Sequence, residues 1–234
     1  MASVQIDREA ILGAHFLLRH LGPPELRRIS AATVLVRHPA QATIFQKGDQ
    51  SASLMAVVRG RVKICIYSAD GKELVLNIID RGGVFGEIAV LDGRSRTADA
   101  VALEETDLLV LERNKLLPIL AEHPEITTRL IGVLCERLRQ TSEHLEDATL
   151  REAPSRLARG LLRLANTFGQ NEPDGIRLDI KLSQQQLGNL IGVSRESINK
   201  YIVDWTRAGH LATRNGFIVI RDRDTLMEIA DAEI

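Results

Sequence analysis

The sequence predicts an α+β protein in which an antiparallel β-domain, a long helix and a helix-turn-helix follow one another along 234 residues. Three observations support this prediction. Short apolar runs of alternating polarity occupy residues 33–112, a heptad repeat starts at Thr127, and two amphipathic helices with a tight turn lie within residues 181–211. We place the three segments at residues 1–113, 114–150 and 151–234.

Composition limits the kinds of protein that this chain can be. Hydrophobic residues make up 44% and charged residues 26%, the balance of a soluble globular protein, and the formal net charge is −1. The whole chain is therefore not a basic nucleic-acid binder. Residues 181–217, however, hold five Lys or Arg against two Asp or Glu, which gives a local charge of +3.

Several classes of protein lack support in the sequence. There is no run of about 18 apolar residues and no signal-peptide pattern, so we expect a cytoplasmic protein with no membrane partner. The two cysteines, Cys65 and Cys135, are too few for a disulfide framework or a four-cysteine metal site. The six histidines are scattered and no nucleophile–base pair is evident. We therefore expect no catalytic residue, no metal site and no enzymatic activity.

The β-domain is predicted from its short runs and the turns between them. The runs are TVLVRH, SLMAVVRG, RVKICIYS, ELVLNIID, ADAVALEE and DLLVLE. Turn residues separate these runs, and Asp70-Gly71 predicts a hairpin with a type I′ turn, in which both central residues have positive φ. Many short strands at this spacing favour an antiparallel sandwich or barrel.

One apolar run carries two charged residues. The stretch GGVFGEIAVLDGRSRTADAVA, residues 82–102, contains Glu87 after Phe85-Gly86, and Arg96 nine residues later. An unpaired buried charge is very costly. The two side chains are therefore either mutually neutralising or poised for a ligand.

The long helix carries a heptad pattern of alternating four- and three-residue steps. Its positions are Thr127, Ile131, Leu134, Leu138, Thr141, Leu145 and Ala148. This pattern predicts a parallel homodimer, although a helix packed only within one chain would also account for it. Thr141, followed by Ser142, is a polar interruption that either sets the register or faces a polar ligand.

A hinge and a helix-turn-helix follow. Pro154 suits the first turn of a new helix, so we place a hinge at residues 149–154, with QNEPDG as a later loop. Ser183 and Gln186 fit a capping box, Gly192 suits the turn, and Ser194 is positioned to cap the second helix.

The second helix of this motif has distinct apolar and polar faces. Ile198, Ile202 and Trp205 have the spacing of a buried face. The opposite face carries Arg195, Glu196, Asn199 and Lys200. These residues suit contacts with base edges, although a merely solvated face is the alternative. Residues 213–222 alternate around Asn215-Gly216 and predict a two-stranded wing.

From about Thr33 to Ile220 the chain resembles the cyclic AMP receptor protein (CRP/FNR) family of bacterial transcription regulators. FGEIAVLDGRSRTA resembles the phosphate-binding cassette of the family, and VSRESINKY resembles its recognition helix. The resemblance implies an N-terminal cyclic-nucleotide-binding β-roll of jelly-roll type, a long dimerisation helix and a C-terminal winged helix-turn-helix.

The resemblance also implies a ligand and the residues that hold it. Glu87 would bind the ribose 2′-hydroxyl and Arg96 the cyclic phosphate. The residues implied to assist are Thr97 through its hydroxyl, and Gly86, Ile88 and Ala89 through close backbone approach. RLRQTSEHL resembles the segment in which a Thr and a Ser contact adenine, one from each subunit, so Thr141 and Ser142 favour cyclic AMP without excluding cyclic GMP.

The implied partner is double-stranded DNA with a palindromic operator, bound by a homodimer, with RNA polymerase as a further partner. The DNA-binding residues would be Ser183, Ser194, Arg195, Glu196, Asn199 and Lys200. Lys200 departs from the Arg that the family often has there, which leaves the base at that position undefined.

Other effectors remain open as alternatives. The chain could be constitutive, or could respond to cyclic GMP, cyclic di-GMP or haem. Cys65, His15 and His20 are the candidate haem ligands, although an intact cassette argues against haem.

Overall fold

The computed structural model describes residues 7–232 and divides the chain into two compact units. The first unit comprises the residues up to Asp70 together with Leu76–Leu138. The second comprises Gly71–Val75 together with the residues from Arg139 onward. Within the described part of the chain, no helix has the length and apolar character needed to span a membrane.

Two four-stranded antiparallel sheets form the β-domain, as the alternating runs predict. One sheet has the order β1-β8-β3-β6 and the other β2-β7-β4-β5. The strands are β1 (Val34–His38), β2 (Thr43–Phe45), β3 (Ser53–Arg59), β4 (Val62–Tyr67), β5 (Glu73–Ile79), β6 (Val84–Phe85), β7 (Asp99–Ala102) and β8 (Thr106–Glu112). The predicted β-roll is confirmed, and the short strands β2 and β6 are additional to the prediction.

The type I′ turn predicted between β4 and β5 at Asp70-Gly71 is wrong. The two strands are neighbours in the sheet, as a hairpin requires, but the segment between them has five residues, 68–72. Gly71 has a φ of 81°, whereas Asp70 is not among the described residues with positive φ. A type I′ turn needs positive φ at both central positions, so the longer loop uses the glycine alone.

The predicted single helix over residues 114–150 is two helices, α4 (Arg113–Glu122) and α5 (Pro124–Leu150). His123 separates them with φ −128° and ψ 77°, outside the helical region. Proline disfavours the α conformation of the residue before it and suits the first turn of a helix. Pro124 therefore ends one helix and begins the next.

Four helices share an apolar core with strands β3 and β8. They are α1 (Arg8–Ala14), α2 (Pro23–Ala32), α3 (Glu87–Asp92) and α4. Ile126 and Leu130 of α5 are each 1% exposed and belong to the same apolar core as Leu12, Leu54 and Leu109. The start of α5 is therefore packed against its own roll.

The second unit is a winged helix-turn-helix. Its helices are α6 (Ala153–Phe168), α7 (Gln184–Ile191), α8 (Arg195–Arg207) and α9 (Arg223–Asp231). Its sheet has the order β11-β12-β10-β9, with β9 (Gly169–Glu172), β10 (Gly175–Leu178), β11 (Leu211–Arg214) and β12 (Phe217–Ile220). The segment QNEPDG, predicted to be a loop, contributes β9, because it folds back on β10 through Gly175, whose φ is 144°.

Asp147, near the end of α5, forms ion pairs with two arginines of α6. The carboxylate is 3% exposed, with Oδ2 2.6 Å from Nη1 of Arg163 and Oδ1 2.7 Å from Nε of Arg159. Nε of Arg151 lies 3.5 Å from the same carboxylate. A buried charge that loses its partners is strongly destabilising, so Asp147 fixes α6 against the end of α5.

We expect Asp147→Ala to lower the free energy of unfolding of the second unit by about 3–5 kcal/mol, because two half-buried guanidinium groups lose their counter-charge. Urea unfolding followed through the fluorescence of Trp205, the single tryptophan, measures this loss. The matched control is Glu146→Ala, whose side chain is 47% exposed and should change stability by about 0.5 kcal/mol or less. Equal midpoints for the two variants would contradict the assignment.

Candidate functional site: a buried arginine cassette and an exposed helix face

The cassette begins where β6 ends and α3 starts. Gly86 caps α3 with φ 82° and ψ 5°, the left-handed region that favours glycine. A Cβ at this position would lie 2.5 Å from Nη1 of Arg96 and 2.7 Å from the carbonyl oxygen of Ser53. Gly86 is therefore required both by its backbone conformation and by the arginine packed over it.

Arg96 is a buried cation bonded to neutral groups. It is 3% exposed, and its Nη1 donates to the carbonyl oxygens of Gly86 and Ser53 at 2.9 and 3.1 Å. Its Nη2 donates to the carbonyl and hydroxyl oxygens of Ser53 at 3.1 and 3.0 Å. The guanidinium carbon lies 4.1 Å from the ring centroid of Phe45. These contacts orient the planar donor group without neutralising its charge.

The surroundings of Arg96 change the pKa of its guanidinium. Burial lowers its pKa from the ordinary value, and nearby carboxylates, of which Asp49 acts most strongly, oppose that shift. Among the described residues, no carboxylate oxygen lies within 4 Å of Arg96. The charged form is therefore penalised here, and an anion at the guanidinium would relieve the penalty.

Glu87 is paired with an arginine from α5 and not with Arg96. The carboxylate is 1% exposed, and its Oε1 accepts a hydrogen bond from Nη1 of Arg137 at 2.5 Å. Arg137 also donates from Nη2 to the carbonyl of Val84. Oε2 of Glu87 is buried and has no hydrogen-bond partner. Of the two possibilities that the sequence left open, mutual neutralisation of Glu87 and Arg96 is wrong.

The structure brings most of the predicted cassette residues together. Ala89 is buried, whereas Ile88, 37% exposed, and Thr97 lie at the surface beside it. Thr141 and Ser142 are exposed on α5 and fall in the second unit. Sequence reasoning gave no role to Ser53, Phe45 or Arg137.

The helix-turn-helix positions its polar residues as predicted. Ser183 and Gln186 form both hydrogen bonds of a capping box, and Oγ of Ser194 accepts from the N–H of Ser197. Gly192 has φ 72° in the turn. Ile198 and Trp205 are buried, whereas Ile202 is half-buried. The first two turns of α8 expose Arg195, Glu196, Asn199 and Lys200.

The wing also forms, but part of its charge is compensated. Asn215 and Gly216 have φ of 50° and 82°, the two positive values of a type I′ turn. Arg214 forms an ion pair with Asp174, and this contact lowers the pKa of Asp174. The net positive charge of the wing is therefore smaller than the sequence suggests.

The three candidate haem ligands are buried or have hydrogen bonds within the protein. Nδ1 of His15 accepts the N–H of Leu17 at 3.3 Å, which leaves Nε2 to carry the proton in the neutral ring. Burial lowers the pKa of His15, which keeps the ring neutral, although the carbonyl of Gly82 opposes the shift. Nε2 of His20 is hydrogen-bonded to Glu125 at 3.0 Å, and Cys65 is fully buried. Within residues 7–232, no group of three or more His, Cys, Asp or Glu could hold a metal ion.

Two family models match the chain, one over each part of this candidate site. The model described as the cyclic nucleotide-binding domain matches residues 35–123. The model described as the Crp-like helix-turn-helix domain matches residues 155–229. The fold and these matches define a DNA-binding transcription regulator with a cyclic-nucleotide-binding domain.

Relatives that match most of the chain define its family. The CRP-like cAMP-activated global transcriptional regulator of Mycobacterium tuberculosis is 30% identical over 218 residues, 93% of this chain and 97% of the relative. A solved CRP/FNR-family transcriptional regulator from Thermus thermophilus is 26% identical, has a TM-score of 0.67 and covers 86% of this chain and 100% of its own. The chain belongs to the CRP/FNR family of bacterial transcription regulators, which confirms the resemblance.

A structural neighbour with another effector shares the fold. The c-di-GMP-responsive global regulator CLP from Xanthomonas campestris is 23% identical, with a TM-score of 0.74 over 85% of this chain and 99% of that one. These relatives are named as transcription regulators, not as enzymes. A shared fold therefore does not specify the effector.

Breaking the Glu87–Arg137 pair should destabilise the first unit. We expect Arg137→Ala to cost about 3 kcal/mol, because it leaves the Glu87 carboxylate buried without a counter-charge. Adding Glu87→Gln should recover much of this loss. Urea unfolding of the wild type, both single variants and the double variant measures the coupling energy. The control is Arg94→Ala, at an exposed position in the loop after α3, and a zero coupling energy would contradict the pairing.

Proposed function

We propose that this protein is a homodimeric transcription regulator that binds cyclic AMP in the cassette and then binds a palindromic operator. The observation that carries the proposal is the arrangement of Arg96 and Glu87. The buried guanidinium of Arg96 has only neutral acceptors, one of which is the carbonyl of Gly86, and the next residue, Glu87, has a buried carboxylate whose Oε2 lacks a hydrogen-bond partner. These groups match a phosphate and a hydroxyl held on one small ligand.

The cyclic phosphate is the proposed partner of Arg96. Its planar fork is already oriented by Ser53 and Gly86, so little side-chain ordering remains to be done when a phosphate oxygen binds. Thr97 adds a hydroxyl, and Ile88 and Ala89 add the backbone N–H groups at the start of α3. The ribose 2′-hydroxyl would donate to Oε2 of Glu87, while Arg137 holds Oε1.

The base and the second subunit are proposed to meet at α5. Ile131, Leu138 and Leu145 are 53%, 68% and 68% exposed and are spaced seven residues apart on that helix. Large exposed aliphatic side chains at heptad spacing favour pairing with a second copy in parallel. Thr141 and Ser142 interrupt the apolar series with hydroxyl groups, which suits contact with adenine, one residue from each subunit.

The choice of cyclic AMP rests on these hydroxyl groups and on the M. tuberculosis relative, which is named as cAMP-activated. Cyclic GMP is the nearest alternative, because hydroxyl groups can donate to or accept from either purine. A constitutive regulator would leave Arg96 and Oε2 of Glu87 without the partners proposed for them.

Isothermal titration calorimetry with cyclic AMP and cyclic GMP tests the effector. We expect cyclic AMP to bind the wild type. Arg96→Ala should weaken this binding by about 2–4 kcal/mol, because a buried charged contact is lost. Arg96→Lys keeps the charge without the fork and should fall between them. Arg94→Ala, at the exposed position in the same loop, should bind as the wild type does. No heat from the wild type at millimolar cyclic AMP would refute this effector.

The DNA-binding part of the proposal concerns α8. Arg195 can donate to guanine O6 and N7, and Glu196 can accept from cytosine N4, so together they suit a G·C pair in TGTGA-like half-sites. Lys200 and Asn199 lie one turn further on, and Ser183 and Ser194 at the helix starts suit phosphate contacts. A dimer would place two such helices about one helical turn of DNA apart, beside RNA polymerase in the cytoplasm.

Effector and operator should be coupled through α5. By linkage, bound cyclic AMP must raise the affinity for operator by the same factor by which bound operator raises the affinity for cyclic AMP, typically about 5–150-fold. We expect Arg195→Ala to cost about 1–3 kcal/mol of operator binding and to relax its specificity. We expect Thr141→Ala to weaken the binding of cyclic AMP and to reduce its coupling to operator binding. Thr141→Leu should instead favour the DNA-competent state without ligand.

Titration of labelled operator with and without saturating cyclic AMP measures these effects at one fixed salt concentration. Identical operator affinity of the wild type under both conditions would leave a constitutive regulator. Equal binding to the palindrome and to a scrambled sequence would refute the proposed recognition of operator bases by α8.

A further inference from the structure

A side-chain hydrogen bond joins the two helices of the helix-turn-helix on the exposed side of α8. Nε2 of Gln184 donates to Oδ1 of Asn199 at 2.8 Å. Gln184 is the first residue of α7 and half-buried, whereas Asn199 is exposed in the second turn of α8. The bond therefore connects a residue outside the predicted DNA-binding set with one inside it.

Both ends of this hydrogen bond are held by rigid backbone. The capping box of Ser183 and Gln186 fixes the start of α7. Ile198, 0% exposed and adjacent to Asn199, anchors α8 in the core. Gly188 brings the helices close, because a Cβ there would lie 2.5 Å from the carbonyl oxygen of Val193. The amide of Asn199 is thus positioned by a fixed neighbour and not only by solvent.

The direction of the hydrogen bond decides what Asn199 presents to DNA. A free asparagine amide can turn either its oxygen or its NH₂ group toward a base edge. With Oδ1 held by Gln184, both N–H groups of Nδ2 remain available to face the groove. In the major groove guanine, adenine N7 and thymine O4 accept hydrogen bonds, whereas cytosine presents only the N4 donor group.

We propose that Gln184 is a specificity-determining positioning residue, which makes Asn199 a hydrogen-bond donor to the operator and selects against cytosine at the base that Asn199 faces. This inference rests on the proposed reading of the operator by α8. Gln184 acts through Asn199 and needs no base contact of its own.

The discriminating variant is Gln184→Glu, because a carboxylate only accepts hydrogen bonds. Glutamate at this position would bind the NH₂ group of Asn199 and turn Oδ1 toward the groove. The preferred base should then change to one with a donor, cytosine through N4 or adenine through N6. Gln184→Leu should instead broaden the preference, because the amide is free to rotate.

The matched control is Gln185→Glu. It makes the same change of charge one residue further along α7, at an exposed glutamine that is bonded to Asn189 and not to α8. Both glutamates should weaken binding to all sequences by repulsion from phosphate. Only Gln184→Glu should alter the relative binding of different bases.

The experiment is competitive binding of the full-length protein, with cyclic AMP, to operators in which each half-site position carries each base pair. Asn199→Ala first identifies the position where preference is lost. There, the wild type should disfavour cytosine by roughly 5-fold or more, the scale of a single base-edge hydrogen bond, and Gln184→Glu should reverse that order. Thermal unfolding should be unchanged in both glutamate variants.

An unchanged order of bases in Gln184→Glu, with specific operator binding by the wild type, would overturn this inference alone. The inference would also be overturned if Gln184→Glu and Gln185→Glu changed the base preference in the same way. Wild-type protein that does not distinguish operator from scrambled DNA would overturn the proposed operator reading, and the inference with it.

Discussion

The hydrogen bonds that hold Arg96 among neutral oxygens are the interaction on which the first unit depends. The guanidinium is almost completely buried, and both Nη groups donate to Ser53 or to the carbonyl of Gly86, whereas Nε has no hydrogen-bond partner. Among the described residues no carboxylate lies within 4 Å of Arg96, so burial penalises its charged form beside the turn between β6 and α3. An anion that reached the guanidinium would offset this penalty.

The second charged contact of the cassette connects the roll to the helix that leaves it. Glu87 begins α3, whereas Arg137 lies fifty positions further along the chain on α5. One carboxylate oxygen of Glu87 is held by α5, and the other, Oε2, has no hydrogen-bond partner. Ile126 and Leu130, buried two to three turns before Arg137, make the start of the same helix part of the roll.

Local patterns of the sequence predicted much of this molecule. The capping box at Ser183, the left-handed turn at Gly192 and the wing at Asn215-Gly216 each depend on residues within about four positions, and each forms as expected. The partner of Glu87 could not be predicted, since fifty residues separate it from Arg137 and only the tertiary fold brings them together. The break before Pro124 had a local signal that the heptad pattern obscured.

The close packing at Gly86 makes the ligand site difficult to change one residue at a time. A side chain at position 86 would collide with Arg96 and also with the backbone carbonyl of Ser53, so loss of the arginine alone would not make room for it. Across diverging copies of the gene, Gly86 should therefore persist even where Arg96 has been replaced.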